Sequence, residues 1–314
     1  MSPSSAADTP GWCPPPGAVL GIMGSARPEG LREIWPGLRR GLEAQGLRFQ
    51  LARELVVRAA FRDHELGPSC LAVRPEAELG PGLDLLLSLG GDGSLLAAVG
   101  LVGDTLPVMG LHMGSMGYLT ATTPDQLARS LEDLAAGRLR EERRMMLRVS
   151  VEEAGHPGVE RLSADALNDV VVSSGLPGRV VRLVTRINDE TLFMVTGDGL
   201  IHATPTGSTA YNLGGGGPIL DPGMEAIVLT PVMPHSVSVR PIVVAPGSRI
   251  ETRIRSRHGC MELSVDGRLN RSLSEDAVVR VERSPKVARL LKPRLPGFIG
   301  VLRDKLKWNQ EEDA

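Results

Sequence analysis

The hydrophobic period changes near Arg143, and that change demands two differently built parts. Upstream, the mainly apolar runs 18–23, 83–89 and 106–111 have strand length and no sustained alternation. Such runs suit strands buried on both faces. Helical stretches at 31–45 and 95–102 lie between them and predict a parallel sheet covered by helices. Thr123, Pro124 and Gln126 read as N-cap, first helical position and capping-box partner of a further helix. Its apolar face is Leu127, Leu131 and Leu134, and Gly137 stops it. Downstream, Leu147, Val149 and Val151 alternate with Arg148, Ser150 and Glu152. Runs at 182–186 and 191–196 flank a hairpin turn at Asn188 and Asp189. Further strand signals lie at 226–230, 238–244, 250–256, 261–265 and 278–281. The expected fold class is α/β, with an N-terminal Rossmann-like α/β domain over 17–125 and a C-terminal β-rich domain over 126–285. Residues 286–314, helical around Phe298, Leu302 and Leu306, return to the first domain. Residues 1–16, rich in Pro, Ser and Ala, read as a disordered tail.

Charge and cysteine content narrow the function classes. Among 314 residues, 35 basic side chains balance 37 acidic ones for a net charge of −2, which argues against a broad nucleic-acid surface. Cys13, Cys70 and Cys260 are odd in number and far apart, so they suggest a reducing, cytoplasmic setting. No stretch approaches the ~20 apolar residues of a membrane span, and no membrane partner is expected.

Four segments carry chemistry. Gly90, Gly91, Asp92, Gly93 and Ser94 sit between a strand and a helix. Glycines let backbone approach a ligand, and a helix N-terminus suits phosphate. A carboxylate there suggests a base toward a hydroxyl or a partner of a magnesium ion. Read alone, the segment is also compatible with a strand–helix turn capped by Asp92. The second segment, 204–212, holds three threonines, a serine and an asparagine, and Gly214–Gly217 follow at once. Together they could let a flat ligand lie close to backbone, or form a surface loop rich in turn formers. Asn168 and Asp169 break an apolar strand, and paired acceptors suit a ribose diol, although a strand-end turn has the same composition. Gly197-Asp198-Gly199 and Ser264-Val265-Asp266-Gly267 read as turns. His202 reads as a satisfied structural histidine rather than a base. The six histidines lack zinc-ligand spacing. The run 138–144 mixes both signs and reads as a solvated linker.

In this order, the pieces resemble the NAD kinase family from about Val19 to Trp308. The glycine turn alone is shared with phosphofructokinases and lipid kinases. The block 197–211, with Gly197-Asp198-Gly199 and Thr204-Pro205-Thr206-Gly207-Ser208-Thr209-Ala210-Tyr211, is far more specific. Leu167-Asn168-Asp169, the segment 234–241 and the ending 301–306 add to it. A lipid kinase would need an apolar acceptor slot, which the polar 204–212 block does not supply. A dinucleotide sensor without activity would have no need of Asp92.

The resemblance implies an ATP- or polyphosphate-dependent enzyme that phosphorylates NAD to NADP, with Mg²⁺ accompanying the donor. It implies a homodimer or homotetramer. Asp92 matches the aspartate that acts at the 2′-hydroxyl of the adenosine ribose. Gly90, Gly91, Gly93 and Ser94 match the phosphate-side residues, and Gly93 also lies on the NAD side. Asn168 matches a contact to the adenosine end, Asp169 a ribose ligand, and Asp198 an acidic residue near the nicotinamide. Thr209, Ala210 and Tyr211 match residues lining the dinucleotide pocket. Ser94 replaces a customary threonine, and Gly214 replaces a serine that contacts the adenine region.

Overall fold

The computed structural model describes residues 12–308, apart from 115–116, 121, 154–159, 177, 256–260 and 295–296. Most of the expected tail (1–11) and Cys260 therefore lie outside the described residues. The chain divides into two compact units, 1–143 with 289–314, and 144–288.

The first unit opens with β1 (Val19–Gly24), α1 (Pro28–Ala44), β2 (Arg48–Ala52), α2 (Arg53–Ala59), a single turn α3 (Asp63–Leu66) and β3 (Cys70–Arg74). It continues through β4 (Leu85–Gly90), α4 (Asp92–Val102), β5 (Val108–His112) and α5 (Leu127–Ala135). α1 starts with Pro at its first position and buries Leu31, Ile34, Trp35, Leu38 and Leu42, the i, i+3, i+4, i+7 stripe of an amphipathic helix. β1 and β4 are buried on both faces. All pairings here are parallel, in the order β5-β4-β1-β2-β3. The register sets Gly90 beside His112, so the glycine turn leaves the carboxyl ends of β4 and β5, where open α/β sheets bind ligands.

The first unit runs past the expected boundary at residue 125. Leu131 of α5 lies where a side chain on Gly41 of α1 would sit, so this helix belongs to the first core. Pro124–Gln126 form a 3₁₀ turn before α5, and Thr123 makes no side-chain cap bond, so the expected capping box is absent.

The second unit carries β6 (Arg140–Glu152, entering from the first unit), β7 (Glu160–Ala166), β8 (Asp169–Ser174), β9 (Val181–Ile187), β10 (Glu190–Gly197) and β11 (Gly199–Ala203). After a 3₁₀ turn (Gly207–Thr209) come the short α6 (Tyr211–Gly214), β12 (Ile227–Val232), β13 (Ile242–Val244), β14 (Ile250–Ile254), β15 (Met261–Val265), β16 (Leu269–Leu273) and β17 (Val278–Lys292). The last residues of β17 belong to the first unit, where Leu290 and Leu291 pair in parallel with Val108 and Met109. α7 (Phe298–Leu306) closes that unit.

Six strands of the second unit form one antiparallel sheet, β13-β12-β11-β8-β15-β16. β9, β14 and β17 pair antiparallel in a second layer. Alternation is clear in β14, where Ile250, Thr252 and Ile254 point inward between Glu251 and Arg253. One core joins both layers through Val170, Val172, Leu200, Leu229, Leu263, Ile250 and Val279. β8 and β11 are buried on both faces instead. Their other face carries Val171, Ile201 and Ala203, against which Leu220 packs. The 204–220 segment is thereby fixed to the sheet. No helix among the described residues is long and apolar enough to cross a membrane.

The charged run 138–144 is not a solvated linker. It enters β6, and Arg144 is 5% exposed. Glu141 receives two hydrogen bonds from Arg289, and Arg144 donates to Thr206 Oγ1 at 3.3 Å.

Candidate active site

In the first unit, β4 ends at Gly90, whose φ of +151° only glycine adopts readily; a Cβ there would meet Ser94 Oγ at 2.1 Å. Gly91 is the N-cap of α4, so Asp92 is its first helical residue. The helix starts three residues earlier than its apolar run predicts, because Asp92, Gly93 and Ser94 carry no apolar side chain to mark the first turn. The N–H groups of Asp92 and Gly93 have no acceptor one turn back, and the positive end of the helix faces the glycine turn.

The half-buried Asp92 carboxylate is held from one side. Its Oδ1 accepts the backbone N–H of Leu119 at 3.1 Å and that of Thr120 at 3.0 Å, and the Thr120 hydroxyl at 3.0 Å. Oδ2 accepts the Tyr118 N–H at 2.9 Å. A carboxylate has about four lone-pair sites, two on each oxygen, so the unshared acceptor capacity lies on Oδ2. Lys292 Nζ donates to the Tyr118 carbonyl at 3.2 Å and steadies the loop. Thr120 continues to His112 Nδ1 at 2.7 Å. Ser94, expected on the phosphate side, also braces the turn. It is 5% exposed, and its hydroxyl bonds Ser25 through both the backbone N–H and the side chain. Gly93 is exposed with open space around its α-carbon.

In the second unit, Asn168 precedes β8 and Asp169 opens it. Asp266, in the turn after β15, organises them. Its carboxylate accepts the N–H groups of Leu167 at 2.8 Å, Asn168 at 2.7 Å and Asp169 at 3.1 Å, and its own N–H donates to the Asp169 carbonyl at 2.9 Å. Asp266 and Gly267 both have positive φ, the Asp-Gly turn signature. The sequence marks this turn but not its role. The Asn168 Oδ1 atom is buried and has no hydrogen-bond partner.

The 204–212 segment packs onto this strand end by backbone. Thr204 N–H donates to the Asn168 carbonyl at 2.9 Å, and Thr204 Oγ1 donates to the Leu167 carbonyl at 2.6 Å. A Cβ on Gly207 would lie 2.0 Å from the Asn168 carbonyl oxygen, so only glycine fits. The Tyr211 N–H reaches the Asp169 carboxylate, so Asp169 and Tyr211 are brought together. Thr209 and Ala210 form the turn just before Tyr211, which is 50% exposed. Asn212 faces inward and ties Ser208, Pro218 and Thr230. Asp198 stands apart from this group. It precedes Gly199, which pairs with Ser173, whereas Ala203 pairs with Asp169. At about 3.3 Å per residue that is the far end of the strand, roughly 13 Å along.

Burial, then the nearby Asp266 charge, pushes the Asp169 carboxyl up from 3.8 to about 7, against the Tyr211 N–H. The Asp266 carboxyl is also raised by burial, opposed by its three backbone donors. His202 is fully buried between the Val170 carbonyl and the Thr252 hydroxyl, and burial lowers it to about 4. That enclosed position suits the structural reading of His202.

The folded chain holds the Asp169 proton more tightly than the unfolded chain does. The stability this contributes is fully present below pH 3.8 and is lost as pH rises through about 7. Three pKa units correspond to at most ~4 kcal/mol. Asp169→Asn mimics the neutral acid, so relative to wild type it is expected to gain stability between pH 5 and pH 8. Urea unfolding at both values checks this, and the comparison cancels the opposite trend from His202. An identical difference at both pH values refutes it.

Comparison with known proteins gives one consistent likeness. The ATP-NAD kinase N-terminal domain family matches residues 71–139, and the ATP-NAD kinase C-terminal domain family matches 167–292. The NAD kinase of Geobacter sp. (strain M21) is 40% identical over 235 residues, which is 74% of this chain and 81% of that protein. The NAD kinase of Desulforamulus reducens is 41% identical over 231 residues, 73% of this chain and 79% of that protein. Among solved structures, yeast NADH kinase complexed with NADH has a TM-score of 0.83 at 24% identity, covering 94% of this chain and 89% of that one. An NAD kinase from Archaeoglobus fulgidus in complex with ATP has a TM-score of 0.70 at 23% identity, covering 92% and 98%. Those two likenesses bear on the fold.

Proposed function

The chain belongs to the NAD kinase family, and from that premise we propose that it transfers the terminal phosphoryl group of ATP to the 2′-hydroxyl of the adenosine ribose of NAD, with Asp92 as the acceptor of the hydroxyl proton. The observation that carries the residue assignment is the Asp92 carboxylate, fixed by four hydrogen bonds from the 118–120 loop with acceptor capacity left on Oδ2. In the transfer, the bond from the ribose O2′ to phosphorus forms and the bond from phosphorus to the bridging oxygen breaks. The 2′-hydroxyl proton goes to Asp92, and ADP leaves. Gly90, Gly91 and Gly93 with the first turn of α4 hold phosphate oxygens, while Ser94 supports the turn through Ser25.

On the dinucleotide side, the buried Asn168 Oδ1 supports a contact to a donor group of the adenosine end. Asp169, held against Tyr211, binds ribose hydroxyls. Thr209, Ala210 and Tyr211 line the same side. Among the described residues no three His, Cys, Asp or Glu side chains converge on a metal position. Mg²⁺ enters as part of the substrate, MgATP, held by phosphate oxygens. Polyphosphate presents a similar chain of phosphates and is the alternative donor. The family resemblance supports a cytoplasmic homodimer or homotetramer.

The test is turnover with NAD and MgATP, read through an NADP-specific dehydrogenase, then repeated with polyphosphate as donor. Asn168→Ala removes one polar contact, for which about 1–3 kcal/mol is typical. The KM for NAD is expected to rise roughly tenfold while the KM for ATP changes less. Equal losses for both substrates would remove Asn168 from the dinucleotide side.

A further inference from the structure

Asp92 is the start of a hydrogen-bonded chain that continues away from the glycine turn. Thr120 Oγ1 lies 3.0 Å from Asp92 Oδ1 and 2.7 Å from His112 Nδ1. His112 is the last residue of β5, in register with Gly90, and its Cε1 lies 3.6 Å from where a side chain on Gly91 would begin. The imidazole is thus packed against the turn that presents Asp92.

The proton count fixes the direction of this chain. The Thr120 hydroxyl has one proton, and the Asp92 carboxylate accepts it. The contact to His112 must then be a donation from the imidazole, which assigns a proton to Nδ1 by network logic. We propose that His112 is a positioning residue for Asp92: its Nδ1–H holds the Thr120 hydroxyl so that the hydroxyl keeps donating to Asp92 Oδ1, leaving Oδ2 for the substrate hydroxyl. The proposal rests on the reading of Asp92 as the proton acceptor.

Geometry also shows how the arrangement responds to acid. The charged and titratable groups around the imidazole are Asp92 on α4, Lys305 on α7 and, beyond Thr120, Tyr118 of the same loop. Burial lowers the His112 pKa most; Asp92 opposes this and Lys305 adds to it. The neutral imidazole keeps its proton on Nδ1. Protonation adds one to Nε2, so the hydrogen bond to Thr120 persists. What changes is a positive charge two hydrogen bonds from Asp92, which weakens the carboxylate as a proton acceptor. The acid side of the pH profile of kcat therefore contains a step owed to His112.

Two substitutions separate this role from simple packing. Asn offers a side-chain N–H near the Nδ1 position and does not titrate, whereas Leu fills the space without a donor. His112→Leu is expected to lower kcat about five- to tenfold, the scale of one lost hydrogen bond, with the KM for NAD changed less than twofold. His112→Asn is expected to keep kcat within about twofold at pH 8 and to lose one step from the acid limb. Wild-type kcat in His112→Leu overturns the proposal, as does a loss confined to KM. If His112→Leu does not fold, His112→Asn decides: an acid limb unchanged from wild type overturns the proposal, and a lost step supports it. Asp92→Asn in the same assay separates the two readings. Full activity there removes the Asp92 assignment itself, while a loss there with an unaffected His112→Leu removes only the role of His112.

Discussion

Asp92→Asn is expected to lower kcat about 10²-fold while changing the affinity for NAD less than tenfold. A positioned base contributes about 10²–10⁴-fold, and the loose transition state of phosphoryl transfer places this case toward the lower end. The surrounding bonds add a second consequence. Oδ1 takes three donors, so the amide oxygen of Asn must occupy that position. Its NH₂ group then replaces Oδ2 and confronts the Tyr118 N–H, donor against donor, where a 2.9 Å hydrogen bond stood. The 118–120 loop should loosen at Tyr118, with a modest fall in Tm. Turnover, NAD titration and thermal unfolding of the same preparation check all three. Near-normal kcat with a lowered Tm would leave Asp92 a loop anchor and end its catalytic assignment.

Asp266→Ala is expected to be the most destabilising of these changes, about 3 kcal/mol or more. Three backbone N–H groups lose their acceptor, and an unsatisfied buried donor costs about 1–3 kcal/mol each, with incomplete additivity. The loss should reach function through Asn168 and Asp169, whose backbone the carboxylate frames. The KM for NAD should therefore rise at least tenfold, while the KM for ATP stays within about threefold. Asp266→Asn keeps one acceptor oxygen and should fall between the two. Urea unfolding and initial rates at varied NAD and ATP measure both effects. A stability within 1 kcal/mol of wild type, or equal rises in the two KM values, would dismiss Asp266 as the frame of this strand end.

These residues also show what a sequence can reveal. Asp92 was legible because a strand, two glycines and a helix lie contiguously around it. Asn168 and Asp169 stand out because polar residues interrupt an apolar strand, a pattern that by itself suits a strand-end turn, and only the family resemblance ties them to NAD. Asp266 was invisible in that role: its partners are 97 to 99 residues away and are backbone groups, which leave no mark on side-chain pattern. Ser94 reads as a phosphate-side residue because its hydroxyl heads a helix, and its bond to a partner 69 residues away leaves no mark on the sequence pattern. Arg144 looked solvated because neighbouring charges of both signs suit a linker as well as a strand. Its burial against Thr206 depends on tertiary packing alone. β2 escaped notice because Arg48 and Gln50 interrupt its apolar run, although Phe49 and Leu51 are fully buried.

The pairing of Leu290 and Leu291 with β5 has a consequence for how this chain is made. A ribosome releases residues 1–143 long before it reaches residue 290, with all of residues 144–288 translated in between. Until then the start of β5, at Val108 and Met109, is an uncovered sheet edge with backbone groups free to pair with another chain, while its end at Leu111 and His112 is already met by Thr122. The intervening unit is complete in sequence before the first unit receives its last strand. Nascent first units must therefore wait, exposed to aggregation and chaperones, for the final tenth of synthesis. Expression of residues 1–143 alone inherits that same open edge permanently.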